Sequence, residues 1–167
     1  MGHWVRFVSR LLPFAVALML AAATATGSFA SAAGTRADYV ERVEPICKAA
    51  NTANAGVLQG VKDEVARGHL KQAAPAVLRA ARGLERVIGR LAPVPRPPAD
   101  SRRLTRWLGY AKNGDRLLWK MGRSLRAERK GSVQAMANEL VREAKRANAV
   151  VVGFDFDYCR LNPARFV

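Results

Sequence analysis

The two cysteines constrain this chain more than any other feature. Cys47 lies near the start of the first helical stretch and Cys159 close to the C-terminus, and there is no third. A bond between them closes almost the whole fold into one loop. Neither sits in a Cys-x-x-Cys pair and neither has a histidine near it in sequence, so a redox or nucleophilic role has little to stand on.

The N-terminus decides how those cysteines are read. Arg6 and Arg10 precede an apolar run from Leu11 to Ala23, broken only by Pro13, and small residues follow. That is the pattern of an export signal, residues 1–32, with Ala30-Ser31-Ala32 as the cleavage motif and Ser28-Phe29-Ala30 as a second candidate. No cysteine stands at this boundary to carry a lipid. The alternative is an uncleaved membrane anchor from Leu11 to Ala33, long enough to cross but rich in Ala, Ser, Thr and Gly in its second half. Outside the cytoplasm, two cysteines in one small domain are expected to pair, Cys47 with Cys159.

The remaining residues, 33–167, read as one all-α domain. Half the chain is hydrophobic, much of it alanine, and only 7% is aromatic, which suits close-packed helices better than strands. Thr35 and Asp38 form a capping-box pattern that opens a helix. Its apolar stripe, from Val40 through Cys47 to Val65, extends to Gly68, with a kink or short break expected at Pro45. Asn51 and Asn54, weak helix formers, are expected either to bond the tail backbone or to face water. A second helix spans about Lys71–Leu91, followed by the proline-rich connector 92–99. Asp100 or Ser101 caps a third helix, which frays over 126–131. Ser132 caps a fourth that ends near Gly153, and the tail from Phe154 is irregular and docked.

Short connections between four such helices predict an up-down-up-down four-helix bundle. The cysteines agree with that topology. Cys47 lies roughly 17 Å along its helix at 1.5 Å per residue, and the six residues from Gly153 to Cys159 reach back roughly 20 Å when extended.

Several segments of the chain also carry a resemblance. Cys47 followed by Ala50-Asn51, the connector Val94-Pro95-Arg96-Pro97-Pro98-Ala99-Asp100, Trp107-Leu108-Gly109-Tyr110 and the closing Gly153-Phe154 with Tyr158-Cys159-Arg160 resemble a group of small exported all-helical actinobacterial proteins with two cysteines and no assigned role. The resemblance covers most of the chain beyond the export signal. It implies secretion and a helical fold and brings no activity, cofactor or site residue with it.

Enzymatic motifs are scarce. His69 is the one histidine beyond the export signal, and it sits beside Gly68 where a loop is expected. A catalytic triad, a histidine-based zinc or di-iron site, a haem-attachment motif and a glycine-rich phosphate loop therefore have no sequence support. The reading is a non-enzymatic protein without a cofactor. One acidic group qualifies as a weak cation site: Glu41 and Glu44, with Asp38, early in the first helix, and Asp155 and Asp157 in the tail expected to return there. The competing explanation is that the helix acids complement the helix dipole and the tail acids pair with surface arginines.

Charge supplies the strongest functional lead. The formal net charge is +15, which points to a polyanion or an anionic surface. On a helical wheel Arg102, Arg106, Lys112, Arg116, Lys120 and Arg123 share one side of the third helix, with Trp119 at its edge. A cationic stripe beside an aromatic ring suits phosphate neutralisation and stacking. The same pattern arises when arginines merely solvate a helix and the ring packs in a helix seam. No specific nucleic-acid motif accompanies it. The expected function is a secreted binding module for an anionic cell-envelope polymer or membrane surface. The alternative is a structural or regulatory protein that binds another protein, and a cation-binding or enzymatic carboxylate site ranks behind both.

Overall fold

The computed structural model describes residues 34–162. The expected export signal and cleavage motif, and the last residues of the tail, lie outside that span. The described residues are all helix, turn or irregular, without strands: α1 (Arg36–Ala53), α2 (Val61–Ala66), α3 (Leu70–Leu91), a single 3-10 turn (Pro98–Asp100), α4 (Ser101–Arg126) and α5 (Lys130–Val150). They fall within one compact unit. Helix α4 packs along both α3 and α5, while α1 and α2 lie on α3. No described helix is long and apolar enough to cross a membrane.

The capping box forms as the sequence predicts: Thr35 N–H donates to Asp38 Oδ2 at 2.7 Å and Asp38 N–H to Thr35 Oγ1 at 3.2 Å. Helix α1 then runs through Pro45 unbroken. Proline removes one backbone donor, but Pro45 is exposed, on a side away from buried Tyr39, Val43 and Cys47.

The long first helix is corrected. It stops at Ala53, and turns over residues 54–60 lead into the separate short helix α2, making five helices where four were expected. Asn54 is the reason on one side: its backbone N–H and its side-chain Nδ2 both donate to Ala50 O, at 3.0 and 2.7 Å, which closes the last turn. Gly56 and Gly60, with φ of +71° and +76°, complete the reversal. The apolar spacing hid the break because Val57, Leu58, Val61 and Val65 still pack inward, onto the α3–α4 core.

Two cap expectations are also corrected. Asp100 precedes α4 but makes no side-chain cap bond, because its carboxylate is held by Arg36. Ser132 lies inside α5, which already begins at Lys130. There the turn is made by Glu128 at φ +55°, with Arg129 N–H bonded to Ser124 O at 2.9 Å, so the N-cap falls at Arg129 and the helix restarts three residues early.

Two apolar clusters hold the fold. One gathers Tyr39, Val43, Cys47, Leu104, Trp107, Val151, Phe154, Phe156 and Cys159 around the start of α4 and the docked tail. The other joins Leu70, Val77, Leu118, Met121, Leu125, Val133 and Leu140 between α3, α4 and α5. Buried Gly122 lets α3 approach α4 in this second cluster: a Cβ there would lie 2.5 Å from Leu78 Cδ2.

Candidate functional site

The two cysteines are joined. Their Cα atoms are 5.1 Å apart, both side chains are buried, and no free cysteine remains. A bond of this kind persists in an oxidising compartment.

The tail is held by more than the disulfide. Glu44, one turn before Cys47 on α1, accepts the backbone N–H groups of Asp157, Tyr158 and Cys159 at 3.2, 2.8 and 3.0 Å. Asn51, one turn after Cys47, donates to Tyr158 O at 2.9 Å. On α5, Asn148 brackets Leu161 through both its N–H and its carbonyl, at 2.9 and 2.6 Å. These polar clamps let irregular backbone sit against an apolar cluster without orphaned donors. Asn51 thus bonds the tail, whereas Asn54 closes its own helix.

A second knot lies at the same end. Arg36 grips Asp100 through Nε and Nη2 at 2.9 and 2.8 Å and also donates to Gly153 O at 3.2 Å. Arg103 donates to Val150 O and Val152 O at the end of α5. Both guanidinium groups lie over the buried Phe154 ring, 4.7 and 5.1 Å from its centroid. The Asp100 carboxyl is held below its ordinary range by the Arg36 hydrogen bond first, and by the charges of Arg36 and Arg103. Sequence reasoning missed this knot; its signal was an arginine at each of two helix starts with an acid beside the second.

The acidic group does not assemble as a cation site. Glu44 uses both oxygens on tail N–H groups, while Glu41, Asp155 and Asp157 are exposed. Among the described residues no three His, Cys, Asp or Glu side chains are placed to hold a metal ion.

The cationic stripe lies on the outward side of α4. Arg102, Arg106, Lys112, Arg116, Lys120 and Arg123 are all exposed, and the opposite side buries Leu104, Trp107, Ala111, Leu118, Met121 and Leu125. Among the described residues none of the six forms an ion pair. The acids that do pair engage Arg36, Arg67, His69, Lys71, Arg103, Arg142 and Arg146. Arg116 is hydrogen-bonded to Asn113, one turn before it. Lys120 and Arg123 open onto a shallow groove shared with Ser124, Arg129, Ser132 and Met136. Trp119 is half-buried against the α3–α4–α5 cluster, so part of its ring is committed to packing.

Compared with protein-family models, curated proteins and solved structures, the chain matches none.

Proposed function

We propose that this chain is an exported, non-enzymatic binding module, an up-down-up-down helical bundle closed by its disulfide, that engages an anionic polymer or surface of the cell envelope through the outward side of α4. The observation that carries this reading is the row of six exposed cations without ion-pair partners among the described residues. In a chain with 28 Lys and Arg against 13 Asp and Glu, such a row attracts polyanions and gains from counterion release when they bind. The groove at Lys120 and Arg123 adds hydroxyl donors at Ser124 and Ser132 beside a third cation, Arg129.

The test is a pair of charge reversals. Arg116→Glu with Lys120→Glu removes two members of the stripe. Arg82→Glu with Arg86→Glu makes the same change of net charge on exposed α3 positions. Retention on an immobilised anionic polymer should fall for the α4 pair far more than for the α3 pair. Equal losses would leave a generally basic surface without a site.

Binding to another protein is the second reading. Val152 and Tyr158, 63% and 40% exposed, are the large hydrophobic side chains that the tail leaves open. A partner seated there would bind through apolar contact and would be insensitive to salt, which separates it from the first reading.

A further inference from the structure

Between the two apolar clusters, helices α3, α4 and α5 leave an open-sided cavity of about 760 Å³. Its wall along α4 runs from Trp107 to Leu118 and along α3 from Ala80 to Leu91, each about 16 Å at 1.5 Å per residue. The space is therefore a slot. Leu84, Ile88, Leu118 and Leu140 make it aliphatic, and the short residues Ala111 and Ala144 line it as well. Turn residues 54–59 and tail residues 157–162 form its rim.

Protein interiors pack to crystal density, and small-ligand pockets occupy roughly 300–1,000 Å³. A slot of this size in a small helical domain belongs with the second group. Water is a poor filling, since it needs two to four polar partners; among the described residues Trp107 Nε1 is the one buried side-chain atom of the lining without a hydrogen bond, and other polar groups nearby are engaged. Glu143 accepts from Arg146 at 2.7 Å and Asn113 at 2.9 Å, and Asn51 donates to Tyr158 O. The occupant that fits is long and apolar. At the rim stands exposed Arg160, which forms no ion pair among the described residues. Asp157 shares the rim, but a chain of net charge +15 favours an anion there.

We propose that this slot binds a single-chain amphiphile with an anionic head, its hydrocarbon chain between α3 and α4 and its head at Arg160. The site is separate from the outward side of α4 and needs none of that side's cations. The turns over residues 54–60, which interrupt the first helix, and the docked tail then serve as the two lips of the slot.

The test is a fluorescence titration of the full chain, expressed in a secreting host and stripped of lipid, with dansyl-undecanoic acid below its micelle concentration. The expected result is a saturable, one-to-one rise in emission that unlabelled palmitate reverses. Ala111→Phe fills the slot with several methylene equivalents and should weaken binding by roughly tenfold or more. Arg160→Gln, at an exposed position that leaves the fold intact, should weaken binding of the acid but not displacement by the matching long-chain alcohol. Arg116→Glu with Lys120→Glu should leave the titration unchanged. No saturable signal from the parent protein, or parent-like binding of the acid by Arg160→Gln, would overturn the proposal.

Discussion

Cys159 is tied to α1 twice: its N–H donates to Glu44 Oε1 at 3.0 Å, and its sulfur is bonded to Cys47, one turn further along the helix. The covalent tie and the hydrogen-bond clamp therefore act on the same short piece of tail. Three consecutive N–H groups converge on one carboxylate, so Glu44→Ala leaves three donors to find other partners. Unfolding in denaturant should show a loss of about 1–3 kcal/mol, with Glu44→Gln losing less because its carbonyl still accepts. An unchanged midpoint for Glu44→Ala would show that this clamp adds nothing to the disulfide.

Asp100 gives the fold an acid-sensitive contact. Its carboxyl titrates below the ordinary carboxylate range because Arg36 holds the charged form. A lowered folded-state pKa adds stability that is present above the ordinary value and disappears as pH falls through the lowered one. Asp100→Asn should melt below the parent at neutral pH, and the two melting temperatures should converge in strong acid. A constant gap across that range would assign the effect to packing.

Asp115 should behave in the opposite sense. Burial, then the charge of Glu85, pushes its carboxyl up, and Oδ1 has no hydrogen-bond partner among the described residues. A raised pKa means that the ionised form disfavours folding at pH above the ordinary carboxylate range. Asp115→Asn should raise the melting temperature at neutral pH, and the gain should shrink as acid protonates the parent. A drop in melting temperature at neutral pH would show that the charge is used by the fold.

The helices were legible because their periodicity reports burial directly: α3 and α4 begin and end within a residue or two of expectation. The disulfide was legible from an export pattern and a cysteine count. The break at Asn54 was not, since Val57, Leu58 and Val61 keep a helical spacing while packing from turns and a short helix. Nor was the use of Glu44, because an acid early in a helix is equally explained by the helix dipole. The slot escaped as well. Only the placement of α3, α4 and α5 puts Ala111 and Ala144 along one cavity.

Salt dependence tests the central functional claim most directly. The affinity of the parent protein for duplex DNA, as a defined polyanion, would be measured across a series of salt concentrations. Neutralising about four phosphates along α4 predicts a log–log slope near −3.6, flattened by Arg116→Glu with Lys120→Glu at unchanged helical circular dichroism. A slope near zero, or no binding at physiological salt, would contradict a polyanion site on α4.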